Sequence, residues 1–387
     1  MMTTPPKHFD IIIVGAGPAG TSCALALKNS NLNILLLDKD SFPRDKVCGD
    51  AIGGRSVKTL EKLAPELVKE IRNFERKEFT VTTRVFVDDQ MPFNLYWKNE
   101  AFCMRRIDFD ALLLKHAIQN CSTLTFEANF KVDAFAKAEN KIFIGNKITK
   151  TYYSANIVIA ADGSQSFLAK QLIDLKLDPA NFTAAVRAYY TNVEGLLPNQ
   201  TEIHVYKGHM PGYLWIFPLG NDTANIGFGM LSKVIAKRKI NLKQSLTQIL
   251  AESPQLAKRF QNAKMEGTIK GFGLAMGSKK VQRSGDNFML IGDAASLIDP
   301  KSGDGISNAI ESGMIAASTA MHAHKMADFS EGILKKYESD LHQKIGHELL
   351  ISTIILRLGT YFPFAIRIVP TLMKSKWLIR LVKRIVF

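Results

Sequence analysis

The sequence predicts an α/β chain, α+β overall. A parallel sheet flanked by helices is interrupted by an inserted antiparallel sheet and followed by a C-terminal helical region. Three observations predict it. DIIIVGAGPAG (10–20) is an apolar run followed at once by spaced glycines. LIGDAASLIDPKSGDG (290–305) repeats that strand-then-glycine pattern near the other end of the chain. Between them, residues 182–230 alternate and carry aromatics, as the strands of an antiparallel sheet do.

Residues 9–14 form a short apolar run bounded by turn residues and read as a buried parallel strand. Gly15 allows a tight turn and Gly17 lets the backbone approach a pyrophosphate. Gly20, after Ala19, lets the next helix pack closely on the strand. Residues 21–28 hold good helix formers, and the helix N-terminus aims N–H groups at phosphates. A second apolar strand, 33–37, ends in Asp38, close to the offset of about twenty residues at which a carboxylate meets a ribose. This order marks a Rossmann-like dinucleotide unit. The plain alternative is a glycine turn in an ordinary α/β unit. Asp38 suits an unphosphorylated ribose, as in FAD or NAD.

The second segment separates the two. Residues 288–291 read as a strand, and Gly292-Asp293 follow it. Asp293 suits a second polyol, the ribityl side of a flavin cofactor. Pro300, Gly303 and Gly305 open another helix at Ile306, whose N-terminus faces a pyrophosphate or the edge of a flavin ring. A simple NAD dehydrogenase needs no second clasp, so FAD is the expected cofactor.

At 387 residues the chain can bury a large core and is expected to hold two domains. Cys23, Cys48, Cys103 and Cys121 show neither metal-ligand spacing nor a dense disulfide pattern, so no metal is expected. The N-terminus lacks the apolar stretch of a secretory signal, and no run is long enough to span a membrane. A cytoplasmic location follows, with the cytoplasmic face of a membrane as a variant. The net charge of +14 raises nucleic acid as a partner, but no zinc-finger or RNA-recognition pattern supports it.

From residue 351 to 387 there are seven Lys or Arg and no Asp or Glu, interleaved with bulky apolar residues. That mixture suits helices lying on an anionic membrane surface, divided by Pro363 and Pro370. A packed helical subdomain with a basic outer face is the alternative.

In the middle, KVCGDAIGG (46–54) is a loop with one thiol and three glycines. MRRIDFDALLLKH (104–116) opens with arginines that can meet a cofactor phosphate and then becomes a helix. Residues 124–148 show short β patterns, and 155–163 read as a buried strand ending in Asp162-Gly163. In the alternating region Tyr213, Trp215 and Phe217 point to one face and form an apolar wall. His204 and His209 have no partner legible in the sequence. GFGLAMG (271–277) lacks the spacing of a second dinucleotide turn.

Taken together, GAGPAG, PRDKVCGDAI (43–52), Arg106-x-x-Phe109-Asp110, Ala161-Asp162-Gly163, Gly212-Tyr-x-Trp-x-Phe-Pro218 and GDAASLIDPKSGDGI (292–306) resemble the geranylgeranyl reductase family of flavoproteins, with its p-hydroxybenzoate hydroxylase-like fold. The resemblance spans roughly residues 8–345 in order. It implies FAD across a Rossmann-like domain, with a sheet covering the ring, and hydrogenation of isoprenoid double bonds. Gly15, Gly17, Ala19 and Gly20 are implied to hold pyrophosphate. Asp38 with Lys39 is implied at the adenosine ribose, Arg44 and Arg106 at the cofactor backbone, and Asp162-Gly163 at its edge. Gly292 and Asp293, with Pro300, Gly303, Gly305 and Ile306, are implied on the ribityl side. The resemblance also implies that Cys48 and Gly49 lie near the ring and that Tyr213 and Trp215, with Phe217 beside them, line a substrate tunnel. Many reductases have Cys-Gly-Gly where this chain has Cys48-Gly49-Asp50.

Expected domains are 8–80 with 101–180 and 281–345 for FAD, 81–100 with 181–280 for the substrate sheet, and 346–387 for the C-terminal helices. The expected activity is hydride transfer from reduced flavin to a prenyl-type lipid, geranylgeranyl or the menaquinone side chain. Cys48 is the candidate proton donor, and NAD(P)H or a ferredoxin-like protein is the electron source. The alternatives are an FAD monooxygenase acting on an apolar substrate and a non-catalytic, lipid-associated FAD protein; fold alone does not separate them.

Overall fold

The structure, a computed structural model, describes residues 6–138, 140–176 and 178–362. Its strands form two sheets of eight. The first is built around Lys7–Val14, which pairs in parallel with Ile34–Leu37 on one side and Thr151–Ala160 on the other. Ile11 lies opposite both Ile34 and Ile157. Ile11, Ile12 and Ile13 are all fully buried, so both faces of the strand are covered. This explains an unbroken apolar run where a half-exposed strand would alternate. Leu124–Glu127 extends the sheet beyond Ile34–Leu37, and Phe288–Leu290 extends it in parallel beyond Thr151–Ala160. Strand order therefore reverses at Lys7–Val14, the switch point at which such sheets bind ligands beyond their carboxyl ends. Ala134–Ala138 and Lys141–Asn146 add an antiparallel hairpin to Thr151–Ala160.

Helix Pro18–Ala26 packs against Ile306–Met326, so the chain's two ends share one layer. The contact is close: a Cβ on Gly313 would overlap the Ala19 carbonyl oxygen.

The second sheet runs in the spatial order Lys264–Ala275, Phe182–Thr191, Thr223–Leu231, Gly212–Gly220, Gln200–Val205, Lys77–Val87, Phe93–Met104 and Ala51–Ile52. Two expectations change here. Strands Lys77–Val87 and Phe93–Met104 overrun the expected insert 81–100, and Ala51–Ile52 joins them from within the span 8–80. Pairing continues through Phe79 and Phe102, and the burial of Phe102 makes that extension favourable. The sheet is also mixed, because Gln200–Val205 pairs in parallel with Lys77–Val87. These strands are joined through the first sheet, so no hairpin dictates their direction. The GFGLAMG stretch begins inside strand Lys264–Ala275 and forms no nucleotide turn.

Helix His347–Tyr361 begins the C-terminal region. The remaining cationic tail, with Pro363 and Pro370, lies outside the described residues. Among the described residues no helix is long and apolar enough to cross a membrane.

Candidate active site

Gly15 leaves strand Lys7–Val14 with φ +108°, and a Cβ there would overlap the Ala161 carbonyl oxygen. A Cβ on Gly20 would in turn overlap the Gly15 carbonyl oxygen. Packing within the protein therefore demands both glycines. Gly17 differs. An added Cβ would meet only Arg44 Nη2, at 3.7 Å, so the space above it suits an approaching ligand. No side chain caps helix Pro18–Ala26, which leaves its first N–H groups for an anion. Arg44 borders this space. Its Nη1 donates to Asp110 Oδ2 at 3.1 Å, and its buried Nε has no hydrogen-bond partner. Uncapped N–H groups beside a guanidinium that also pairs with Asp38 and Asp40 but keeps its Nε free of hydrogen bonds fit the pyrophosphate of FAD.

Asp38 ends strand Ile34–Leu37, accepting the Ala16 N–H at 2.8 Å and the Asp40 N–H at 3.0 Å. The loop thus fixes a buried carboxylate at the end of that strand, while Lys39 is exposed beside it. Asp162 follows strand Thr151–Ala160, but its oxygens accept the Ser166 hydroxyl and the Leu168 N–H. Its carboxylate therefore serves the start of helix Phe167–Ile173, and burial raises its pKa. The adjoining Gly163 is open, with no atom within 4 Å of an added Cβ.

The two glycine segments meet. A Cβ on Gly292 would lie 2.9 Å from the Ala19 Cβ. Lys46 Nζ donates to Asp293 Oδ2 at 3.1 Å. A Cβ on Gly305 would sit 3.2 Å from the other Asp293 oxygen. The start of helix Ile306–Met326 departs from expectation: Asp304 accepts the N–H groups of Ile306 and Ser307 at 2.9 and 3.2 Å. The chain's own carboxylate thus holds N–H groups that the sequence suggested for the cofactor.

Arg106 is 3% exposed and makes a bidentate pair with Asp110, Nε to Oδ1 at 2.6 Å and Nη2 to Oδ2 at 2.7 Å. Burial opposes its charge, but Asp110 and Cys48 more than compensate and raise its pKa. Arg106 is therefore committed to Asp110, and the arginine bordering Gly17 is Arg44. Cys48 is half-buried, whereas Cys23, Cys103 and Cys121 are buried. Burial raises the Cys48 pKa against the pull of Arg106, so a proton stays on sulfur at neutral pH.

Further ties hold this loop. Arg44 reaches Asp110, and Arg187 Nη2 bonds both oxygens of Asp45 at 2.8 Å. Asn225 Nδ2 donates to the Cys48 carbonyl at 2.8 Å. The same Asn225 accepts the Trp215 indole N–H at 2.9 Å, joining the loop to the aromatic wall. Tyr213, Trp215 and Phe217 do share one face, with ring centres 6.0 and 6.2 Å apart in sequence. Tyr213 also donates to the Ser302 carbonyl.

Tyr213 and Trp215 line a largely apolar cavity of about 180 Å³, with Pro300 and Gly303 from the second glycine segment. Phe217 instead faces Gly49, where an added Cβ would sit 3.2 Å from its ring. Ile355 and Gly359 of helix His347–Tyr361 form part of the cavity wall. His204 finds a partner in Glu202, at 3.1 Å, and stacks on Phe86. Sequence reasoning missed Lys46, Asp45, Asp50, Asn225 and Arg187. The density of charge in PRDKVCGD was the available signal.

A profile of the FAD binding domain matches residues 8–347. Digeranylgeranylglycerophospholipid reductase 1 of Methanococcoides burtonii is 27% identical, over 90% of this chain and 83% of its own. Menaquinone reductase of Mycobacterium tuberculosis is 27% identical, over 97% and 90%. The crystal structure of a geranylgeranyl bacteriochlorophyll reductase-like protein from Thermoplasma acidophilum shares the fold, with a TM-score of 0.80 at 24% identity over 91% of this chain and 88% of that one. A flavin-dependent brominase shares it at a TM-score of 0.77 and 20% identity, over 98% and 93%. The chain belongs to the FAD binding domain family, as a geranylgeranyl reductase-like, FAD-dependent oxidoreductase.

Proposed function

We propose that the protein hydrogenates carbon–carbon double bonds of a prenyl-type lipid, of the geranylgeranyl or menaquinone side-chain kind. One observation carries this: the apolar cavity runs between Tyr213 and Trp215 and the second glycine segment, and among the described residues its lining holds no ionisable group but Tyr213 and Lys301. Such a lining accepts an unfunctionalised alkene and excludes water from it. The names of the reductase relatives fit the same substrate class. Bound FAD supplies hydride chemistry. Gly17, the uncapped helix and Arg44 hold its pyrophosphate, Asp38 its ribose and Asp293 its ribityl side. Cys48 holds the proton for the second alkene carbon. NAD(P)H or a ferredoxin-like protein delivers the electrons.

Lipid enters from an anionic membrane surface beside helix His347–Tyr361. Leu350, Ile354 and Leu358 recur every fourth residue on that helix and are each at least half exposed. The neighbouring Ile355 and Gly359 turn toward the cavity.

Photoreduced protein mixed anaerobically with prenyl lipids tests the activity. Flavin reoxidation with a product two mass units heavier, about 2 Da for one added H2, supports reduction. Product formed only with oxygen, and heavier by one oxygen atom, assigns monooxygenase chemistry instead.

A further inference from the structure

Asp50 lies two residues beyond Cys48, fully buried, with φ +64°. Its Oδ2 accepts the Tyr189 hydroxyl at 2.7 Å and Asn225 Nδ2 at 2.8 Å. Its Oδ1 is buried and has no hydrogen-bond partner. An ionised carboxylate accepts on both oxygens, whereas a protonated one carries its hydrogen on one of them. Left without a donor, that buried oxygen makes the ionised form costly and so favours the protonated one.

Its surroundings fit that state. Arg106 faces it from helix Arg106–Asn120, and Arg187 from strand Phe182–Thr191. The first guanidinium is committed to Asp110 and the second to Asp45. Tyr189 faces it from the same strand as Arg187, Cys103 from strand Phe93–Met104 and Cys48 from its own loop. Burial outweighs the hydrogen bonds and both arginines, and pushes the Asp50 carboxyl up to about 6. Asn225 Nδ2 bonds both the Cys48 carbonyl and the Asp50 carboxyl, and the charges of Asp50 and Arg106 both act on the Cys48 thiol, so the thiol and the carboxyl belong to one charge cluster.

We propose that Asp50 is a positioning residue for proton delivery, storing the proton that restores the Cys48 thiol after each turnover. This rests on the proposed function, in which Cys48 is the proton donor and the reduced cofactor supplies the hydride. The alkene π bond breaks, and one carbon gains hydride. The other carbon forms a bond to the Cys48 proton, leaving the S–H pair on sulfur. In this proposal the Asp50 carboxyl turns its free oxygen to the thiolate and gives up its proton there, and the carboxylate regains one from solvent. Two adjacent buried anions raise each other's proton affinity, so formation of the thiolate itself draws a proton to the cluster.

Iodoacetamide labelling of Cys48 in the FAD-loaded protein, followed by mass spectrometry against pH, tests the coupling without turnover. The other three cysteines are buried, which makes the label selective. Replacing Asp50 with Asn removes a negative charge beside the thiol at pH 8. Labelling should then accelerate about tenfold, as for a one-unit fall in thiol pKa. At pH 5, where Asp50 is already neutral, wild type and variant should label at equal rates. Equal rates at both pH values overturn the proposal. In turnover, the wild-type limb near pH 6 should vanish in Asp50→Asn and move to higher pH in Tyr189→Phe, which loses a bond to the carboxylate. Should Asp50→Asn fail to fold, infrared titration of the wild type decides: a buried carboxyl band must disappear near pH 6, and its absence overturns the proposal. Full turnover by Cys48→Ser removes Cys48 as donor and overturns the proposed role of Asp50 even where the labelling result holds, whereas loss of turnover with equal labelling rates overturns the coupling and leaves Cys48 as donor.

Discussion

Lys46 Nζ lies 3.1 Å from Asp293 Oδ2, joining residues 247 positions apart in the chain. The bridge ties the thiol loop to the second glycine segment, where the ribityl side of FAD is proposed to bind. Asp293→Ala removes both the tie and a polyol acceptor. FAD affinity should fall about tenfold or more, on the order of 1.4 kcal/mol, as read by equilibrium dialysis with flavin absorbance.

Gly17 and Gly20 should respond differently to alanine. Gly17→Ala meets only Arg44, so the apoprotein should unfold at a denaturant midpoint close to wild type while FAD binding weakens. Gly20→Ala overlaps the Gly15 carbonyl and should destabilise the apoprotein itself by about 1–3 kcal/mol. Denaturant titration of both apoproteins separates a ligand-facing glycine from a packing one.

Arg106→Ala should be among the most destabilising single changes. It leaves the buried Asp110 with only Arg44, and loss of a buried partner costs about 3–5 kcal/mol. Arg106→Lys should recover part of this, since an ammonium cannot reproduce the two-pronged pair. Urea midpoints of the two variants check the order.

Asp50 gives stability a pH dependence of definite sign. Its folded pKa of about 6 lies above the ordinary value of 3.8, so the folded chain holds this proton more tightly than the unfolded one. The contribution is fully present below pH 3.8 and is lost as pH rises through about 6. Asp50→Asn should therefore gain stability relative to wild type between these values and hold a constant advantage above them. That advantage is on the order of 2–3 kcal/mol. Urea unfolding of both proteins at several pH values reads it directly.

The exposed stripe on helix His347–Tyr361 offers a fourth-residue pattern to test. Leu350→Ser, Ile354→Ser and Leu358→Ser combined should reduce flotation with anionic liposomes while leaving turnover of detergent-dispersed substrate near wild type. Truncation at residue 350 should lower both, because it also removes cavity wall. Unchanged partition in either case would remove the membrane reading.

Local signals in the sequence carry further than long-range ones. The run Ile11-Ile12-Ile13 announces a doubly covered strand because burial on both faces erases alternation. Tyr213, Trp215 and Phe217 announce one face because a strand repeats every second residue. Arg106 and Asp110 are four apart on a helix, so their pairing is written in the spacing. Nothing local writes Arg44 onto the same Asp110, or Asn225 onto the Cys48 loop, because those contacts exist only after the sheets assemble. Asp50 was legible as a loop acid and not as a buried one, since burial depends on strand Phe182–Thr191 arriving more than a hundred residues later. Asp304 shows the converse: a nearby acid satisfied N–H groups that pattern alone assigned to a ligand.

The packing of helix Pro18–Ala26 on helix Ile306–Met326 has a consequence for synthesis. Ribosomes make the N-terminal helix early, yet the surface that covers it and the Asp293 turn emerge only after most of the polypeptide has left the tunnel. The nascent protein must therefore carry an unfinished, apolar-faced fragment for much of its elongation, exposed to chaperones and to aggregation. The cofactor, when it comes, is a late arrival: it can lock the finished architecture but cannot template its first half.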